Sequence, residues 1–322
     1  MTLTTPSGRP EFDGFSAFYE TEIAPYLRAR EGERRKAVRI FAAIVAATGA
    51  LSGAIFALGP FGEGNFQLAF FALMLGAAGA VWLLNRARSD IGHGLLERIC
   101  GKLGFTYLLK LPRPDYYERF KSLGLLPTHN REAWEDEVRG AHGGANFVLC
   151  EANLKYKSSG KNSSTRTVFH GQLFVIDYPK PFMGETVLKR DIGVFNALAK
   201  PGSHFQKVGL VSSEFEKAFE AWSTDQVEAR DLLDPIVLER FLELERLFGG
   251  KKLRAAFTGG KLLVAIETGD RLNMGSMFKP LENAERIETI LKEFDVVFDL
   301  IDVLLKRVDK RLDGAFSVDQ IR

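Results

Sequence analysis

A long segment almost without charge dominates this sequence. Between residues 37 and 84 only Arg39 and Glu63 are charged, whereas charged residues make up about 30% of the rest of the chain. The segment contains two uncharged runs, residues 40–58 and 66–84. Because an α-helix rises 1.5 Å per residue, each run spans roughly 28 Å as a helix, enough to cross a hydrocarbon core.

The connection between the two runs predicts a tight turn. Residues 59–65 contain Pro60 and three glycines, which break helices. Residues 37–85 are therefore predicted to form a transmembrane helical hairpin. The alternative is a buried hairpin, which would need a large core to cover two helices that are apolar on every face. A signal peptide fits less well, because the first apolar run begins only at residue 40 and a second apolar run follows it after a short turn.

Basic residues set the predicted orientation of the hairpin. They flank both runs and are absent from the turn, so the positive-inside rule places both termini in the cytoplasm. These flanking residues are Arg28, Arg30, Arg34, Arg35, Lys36 and Arg39 before the hairpin, and Arg86, Arg88, Arg98 and Lys102 after it. Neither run has a charge near its middle, which indicates an anchor instead of a transporter or channel. The Gly49/Gly53 and Gly76/Ala80 pairs are predicted to let the two helices pack closely.

Residues 1–36 are predicted to form a cytoplasmic juxtamembrane helix. Phe15, Tyr19, Ile23 and Leu27 recur every four residues, which is typical of one apolar helix face. That face could lie on the membrane or pack against the domain after the hairpin. The neighbouring basic cluster is predicted to contact anionic lipid headgroups, although it could serve only to set topology. The cluster consists of Arg34, Arg35 and Lys36.

Residues 86–322 are predicted to form a cytoplasmic α+β domain. Residues 90–140 suggest broken helices, and strands are predicted from Asn146, over 165–178 and over 215–223. The loop tip between the first two strands carries Lys157 and Lys161, a second predicted headgroup contact or simply a solvated tip. Interspersed helices and antiparallel hairpins are typical of the α+β class.

Local signals place the last elements of this domain. Asp225 is predicted to cap a helix with Glu228 as its capping-box partner, and Asp234-Pro235 is predicted to begin the next helix. Thr258-Gly259-Gly260 predicts a β-hairpin. Residues 284–309 show about three heptads, which predict either a helix packed on its own sheet or a self-association helix.

No constellation in the sequence predicts an activity. The five histidines lie outside zinc motifs, and no phosphate-binding or dinucleotide-binding loop is present, so we expect no metal, cofactor or catalytic site. Cys150 could pair with His142 or His170 as a nucleophile, but a buried structural cysteine is the simpler interpretation. The acidic stretch 134–137 could supply carboxylates for acid–base chemistry or a metal, but it is expected to be an exposed turn. A net charge of +2 excludes a strongly basic nucleic-acid binder, and two cysteines exclude a disulfide framework.

The segment from Phe215 resembles a bacterial family known as domain of unknown function 3137. The resemblance rests on the alternating strand, the Asp-capped helix, the Pro-started helix and the closing hairpin. The matching positions are Phe215, Phe219, Asp225, Glu228-Ala229-Arg230 and Pro235, and upstream Leu126-Pro127, Glu135-Asp136, Gly140 and the strand over 169–177. The resemblance implies a bacterial membrane protein and implies no activity.

Three functions are compatible with these patterns. The favoured hypothesis is a non-enzymatic module at the bacterial inner membrane, which binds lipid headgroups or a protein partner from the cytoplasm. The second is a membrane-tethered, hydrolase-like enzyme whose site gathers distant residues, such as Asp136, His142, Cys150 and His170. The third is an oligomeric scaffold that associates through residues 284–309.

Overall fold

The computed structural model describes residues 3–6, 9–60, 62, 64–160, 163–178, 181–190, 201–210, 213–268 and 275–316, with side chains as far as residue 305. The chain forms two compact units. The first comprises Met1–Leu103 and Asn273–Thr289, and the second comprises Gly104–Leu272 and Ile290–Arg322. The predicted domain boundaries at residues 36 and 86 stay predictions.

Long helices make up most of the first unit. A 3-10 turn, Pro10–Phe12, precedes α1 (Phe15–Phe18), and a π-helical turn, Tyr19–Ile23, leads into α2 (Ala24–Leu58). The second long helix, α3 (Gly64–Lys102), continues well beyond the apolar run. Pro25 lies in the first turn of α2, directly after the π-helical turn, and the helix continues beyond it to Leu58.

The predicted apolar face before the hairpin is buried. Phe15, Tyr19, Ile23 and Leu27 are all at most 3% exposed. The adjacent Tyr26 donates a hydrogen bond of 2.9 Å to the carbonyl of Ile91 on α3. The face is therefore part of the core of the first unit and does not lie on a membrane surface.

Close packing of α2 on α3 occurs at a different place from the predicted Gly49/Gly53 pair. A Cβ on Gly76 would lie 2.0 Å from Cγ2 of Thr48, whereas Gly49 and Gly53 have nothing within 4 Å. The prediction for Gly49 and Gly53 was therefore wrong, because these residues face away from the partner helix. The predicted role of Gly76 and of the fully buried Ala80 agrees with the structure.

An antiparallel sheet forms the second unit, which confirms the α+β class. Within the described residues it has nine strands in the order β1-β2-β3-β4-β9-β8-β5-β7-β6. The strands are β1 (Thr106–Lys110), β2 (Arg131–His142), β3 (Ala145–Lys157), β4 (Thr165–Asp177), β5 (Thr186–Arg190), β6 (Gln206–Val208), β7 (Phe219–Ser223), β8 (Lys251–Thr258) and β9 (Lys261–Glu267). The remaining helices are α4 (Tyr117–Ser122), α5 (Ser213–Ala218), α6 (Gln226–Leu232), α7 (Pro235–Leu247) and α8 (Ala284–Phe316).

Apolar side chains cover both faces of this sheet. Tyr117 and Phe120 of α4 belong to a buried cluster with Leu154, Phe169 and Leu173 of β3 and β4. From α8, Phe294 and Phe298 pack against aromatic rings of the sheet region, with centroids 5.6 Å from Phe105 and 6.1 Å from Phe147. The C-terminal helix thus packs on its own sheet, which was one of its two predicted roles.

Two sequence-based element assignments were wrong. Residues 90–140 were expected to be helical, but β1 and most of β2 lie there. Residues 215–223 were expected to be one strand, but α5 ends at Ala218 and only β7 is extended. Phe215 and Phe219 are four residues apart, a spacing that also suits a helix.

The predicted caps and the closing hairpin are present. Asp225 accepts hydrogen bonds from the backbone N–H groups of Val227 and Glu228, and Asp234 accepts one from Val237. The capping-box role of Glu228 was wrong. Its carboxylate instead accepts the backbone N–H groups of Met183 (2.9 Å) and Gly184 (2.8 Å), so it fixes a loop distant in sequence.

Candidate functional site

The apolar runs of α2 and α3 remain uncovered in the structure. Within the most apolar window of each helix only 6% and 11% of the residues are buried, and both helices have the length and composition of a membrane span. A core helix of a soluble protein would bury such a surface. The large exposed side chains are Ile40, Val45, Leu51, Phe56, Leu58, Phe66, Leu68, Phe70, Phe71, Leu73, Met74, Leu75, Val81, Trp82 and Leu83.

The basic cluster before this surface divides into one buried and two exposed residues. Arg34 is 9% exposed and donates to the carbonyl of Met277 at 2.7 Å. It also forms a two-pronged pair with Glu31, at 2.7 and 2.9 Å. Of the three predicted headgroup residues, Arg34 is therefore buried and paired within the first unit, whereas Arg35 and Lys36 are exposed.

The carboxylate of Glu31 is the common hydrogen-bond acceptor for the basic residues at this end of α2. Besides Arg34, its carboxylate accepts hydrogen bonds from Arg35 Nε (3.0 Å) and from the backbone N–H of Leu281 (3.2 Å). The Arg34 hydrogen bond is the main cause that lowers the pKa of Glu31 to about 2. Glu31 therefore stays ionised and fixes the positions of both arginines.

An open basic groove lies on the second unit, where β2, β3 and β4 run side by side. Its volume is about 420 Å³, and its lining includes Arg131, Lys155 and Lys157. The one acidic lining residue, Glu132, pairs with Arg113 at 2.6 Å. Positive charge therefore predominates in the groove.

The groove includes one of the two predicted loop-tip contacts. The Lys157 side chain is exposed, and Lys161 lies outside the described residues.

The sequence analysis did not identify the two other basic residues of the groove, Arg131 and Lys155. Lys155 and Lys157 are two residues apart and share one face of β3, a signal that could have been used. Arg131 gave no such signal, because its place beside Lys155 depends on strand pairing.

The groups proposed for an enzyme site do not meet. His142 pairs with Asp302 at 2.8 Å and stacks on Phe298. His170 pairs with Glu151 at 2.9 Å. Cys150 Sγ donates to the backbone carbonyls of Glu135 and Glu151, so no Cys–His pair is formed among the described residues.

Cys150 has the environment of an inert thiol. It is fully buried, and burial raises the pKa of the thiol to about 12. Burial also raises the pKa of the neighbouring Tyr116, with further contributions from Cys150 and Glu137. A thiol that stays protonated at neutral pH is a poor nucleophile.

The acidic stretch of β2 is not the expected exposed turn. A β-bulge shifts the register between Glu135 and Val138, and Asp136 has a φ of 51°. The bulge buries Glu137, which accepts hydrogen bonds from Tyr116 (2.9 Å) and Arg139 (2.6 Å). Asp136 accepts one from Tyr107. Both carboxylates therefore accept hydrogen bonds from neighbouring side chains of the same unit.

In the described part of the chain, no group of three or more His, Cys, Asp or Glu side chains could hold a metal ion.

Comparison with known proteins supports the family resemblance. Residues 167–306 match the family described as protein of unknown function, DUF3137, which confirms over this segment the relationship predicted from the sequence. No curated protein matches the chain. The crystal structure of the mycobacterial trehalose monomycolate transport factor A, TtfA, is similar with a TM-score of 0.37 and 13% identity, over 66% of this chain and 92% of that one. The family description assigns no activity.

Proposed function

We propose that this protein is a non-enzymatic binding module anchored in the bacterial inner membrane. In this proposal α2 and α3 cross the bilayer as a hairpin, and both termini lie in the cytoplasm. The observation that carries the proposal is the uncovered apolar surface of the two helices. Apolar side chains at the centre of a span each favour insertion by roughly 0.3–0.6 kcal/mol, so runs of this length favour the bilayer by several kcal/mol.

The basic groove supports a binding role for the second unit. Arg131, Lys155 and Lys157 offer three cations in an open groove, which suits an anionic partner. We propose that lipid headgroups are this partner. The contacts in this proposal are Lys157 at the end of β3, Lys161 between β3 and β4, and Arg35 and Lys36 before the hairpin. A protein partner with an acidic surface is the alternative that the same groove would accept.

The other two functions have less support. An enzyme needs reactive groups that meet, but Cys150, His142, His170 and Asp136 each have a different partner. A scaffold needs free seam positions on α8, but the seam side chains that the structure describes are buried. These are Ile287, Ile290, Phe294, Val297, Ile301 and Leu304, none more than 4% exposed.

Membrane extraction tests the anchor. The wild-type chain should remain in the membrane pellet after alkaline carbonate treatment, whereas the triple variant Leu51→Lys, Phe71→Lys, Leu75→Lys should move to the supernatant. These side chains are exposed and lie within the apolar runs. The control variant Val227→Lys changes an equally exposed apolar residue of α6 and should stay in the pellet. Release of the wild-type chain by carbonate would refute the anchor.

Lysine footprinting tests the headgroup contacts. The full chain is placed in nanodiscs of phosphatidylcholine alone or with phosphatidylglycerol, and exposed amines are acetylated and mapped by mass spectrometry. Anionic lipid should slow the modification of Lys36 and Lys157 several-fold and leave the exposed Lys251 unchanged. Equal rates at Lys157 in both discs would assign the groove to another partner.

A further inference from the structure

The basic groove of the second unit has its cations on one face of two paired strands. Arg131 of β2 lies directly opposite Lys155 of β3, and Lys157 follows two residues later on the same strand. Directly paired residues have Cβ atoms about 5 Å apart, and diagonal or next-but-one neighbours on one face are roughly 7–8 Å apart. The three cationic side chains therefore begin close together and line the same groove.

This arrangement has an electrostatic cost that the described residues do not offset. Like charges directly opposite each other in an antiparallel pair are destabilising. None of the three side chains forms an ion pair within the described ranges. The carboxylate that lines the groove, Glu132, is already paired with Arg113 at 2.6 Å. A bound anion would relieve the repulsion, so the charge pattern fits a ligand with a negative group.

A buried polar atom lies beside these cations. Asn153 lines the same groove, two residues before Lys155 and opposite Ala133. Its Oδ1 is buried and accepts no hydrogen bond from any group in the described ranges. Buried oxygens are normally satisfied by a protein group, a water or a ligand. Because ionised oxygens accept hydrogen bonds but donate none, a ligand that uses the whole groove carries a donor as well as a negative charge.

A phosphate ester with a free hydroxyl meets both requirements. Phosphate oxygens match the paired N–H groups of an arginine and accept hydrogen bonds from lysine ammonium groups. A hydroxyl both donates and accepts, so it can serve the oxygen and the NH₂ of the Asn153 amide. An ammonium group would also donate, but it would add a further positive charge beside three cations. The groove volume of about 420 Å³ is within the range of small-ligand sites.

We propose that the groove binds a phosphate ester that carries a free hydroxyl, as in the phosphoglycerol headgroup of phosphatidylglycerol. Arg131, Lys155 and Lys157 hold the phosphate, and Asn153 accepts the hydroxyl. The inference rests on the proposed binding role of the groove and adds to it a selection by hydrogen bonding beyond charge. The phosphoglycerol group comes either from the lipid or from a free, water-soluble ester.

Lysine footprinting with two lipids of equal charge tests this selection. The full chain is placed in phosphatidylcholine nanodiscs with increasing fractions of phosphatidylglycerol or of phosphatidylmethanol, which lacks the headgroup hydroxyl. Acetylation of Lys155 and Lys157 is mapped by mass spectrometry, with the exposed Lys251 as the internal reference. Half-maximal protection should need about fivefold less phosphatidylglycerol than phosphatidylmethanol, as expected for one additional hydrogen bond. Soluble glycerophosphoglycerol, added to pure phosphatidylcholine discs, tests the free ester.

Two variants separate the hydroxyl contact from the phosphate contact. Asn153→Ala should abolish the advantage of phosphatidylglycerol and leave the protection by phosphatidylmethanol unchanged, which also shows that the variant is folded. Arg131→Gln should weaken the protection by both lipids about tenfold, as expected for one lost charge-assisted hydrogen bond. Arg166→Gln is the matched control and should behave like the wild type. Arg166 is exposed and adjacent to Thr165 of the groove, but it does not line the groove.

Each outcome decides one question. Equal protection by the two anionic lipids overturns the hydroxyl contact and leaves the proposed headgroup role intact. Protection by soluble glycerophosphoglycerol alone supports the hydroxylated phosphate ester and assigns it to a free source, which overturns the lipid partner. Absence of protection by all three ligands overturns both proposals. Equal weakening in Arg131→Gln and Arg166→Gln would overturn the groove as the site.

Discussion

Glu31 shows how one carboxylate can order the polar end of a long apolar helix pair. It joins two arginines of its own helix to the backbone at Leu281, more than two hundred residues away in sequence. Local spacing predicts the Glu31–Arg34 and Glu31–Arg35 pairs, because residues three and four apart are neighbours on a helix. The contacts with Met277 and Leu281 depend on tertiary structure and leave no local signal.

The stability of the first unit should depend on the ionisation of Glu31. The folded state lowers its pKa from 4.5 to about 2, so its contribution is complete above pH 4.5 and is lost as the pH falls towards 2. Glu31→Gln should cost about 1.5–3 kcal/mol at pH 7, the range for hydrogen bonds to a charged group. Thermal unfolding of the full chain in detergent should show a smaller difference between variant and wild type at pH 2.5 than at pH 7.

The neighbouring Glu33 provides the control. It pairs with Arg30 at an exposed position, and such pairs contribute about 0–1 kcal/mol. Glu33→Gln should therefore unfold almost like the wild type at both pH values. A melting difference for Glu31→Gln that stays constant between pH 7 and 2.5 would contradict the ionic role of Glu31.

Both cysteines should be unreactive in the folded protein. Cys100 and Cys150 are fully buried, and the pKa of the Cys150 thiol is raised to about 12. A colorimetric thiol assay at pH 8 should therefore detect neither thiol until denaturant is added, and both afterwards. Rapid modification of Cys150 in the native state would instead revive a nucleophilic role.

At the level of single elements, the sequence predicts what local chemistry determines. The caps at Asp225 and Asp234 and the hairpin at Gly259-Gly260 depend on a few adjacent residues, and the structure contains all three. The bulge in β2 breaks the alternation that marks a strand, so β2 was missed. The role of Glu228 was missed because its partners belong to a distant loop.

The dependence on tertiary structure also explains why the close contact between α2 and α3 was wrongly assigned to Gly49 and Gly53. Both α2 and α3 carry small residues at suitable spacing, and the sequence does not say which of them face the partner helix. The structure assigns the contact to Gly76 opposite Thr48. The predicted headgroup residues show a similar limit, since Arg34 is buried while Arg35 beside it is exposed.

Substitution of Gly76 should disturb the pairing of α2 with α3. In Gly76→Leu the new side chain collides with Thr48, so the melting temperature of the purified chain should fall by several degrees. Gly79→Leu changes a glycine of the same helix that has nothing within 4 Å, and should be neutral or slightly stabilising because leucine favours helix. Equal melting temperatures for the two variants would contradict the observed contact.

At the scale of the whole chain, average composition hides the most informative feature. Charged residues make up 26% of the sequence, but they are almost absent from residues 37–84. The structure places this stretch on two helices whose apolar surfaces are largely exposed. These two facts together carry the proposed membrane anchor, whereas the chemistry of the binding module depends on the basic groove.

Thiol labelling in intact cells tests the central claim most directly. In a chain with Cys100→Ala and Cys150→Ala, one new cysteine is introduced at the hairpin turn, Pro60→Cys, or in the β3–β4 loop, Ser159→Cys. Both positions are exposed. A membrane-impermeant maleimide should label Pro60→Cys in cells whose outer membrane alone is permeable, and Ser159→Cys only after the inner membrane is opened. Labelling of Ser159→Cys before that step, or failure to label Pro60→Cys, would contradict a hairpin that spans the membrane with both termini in the cytoplasm.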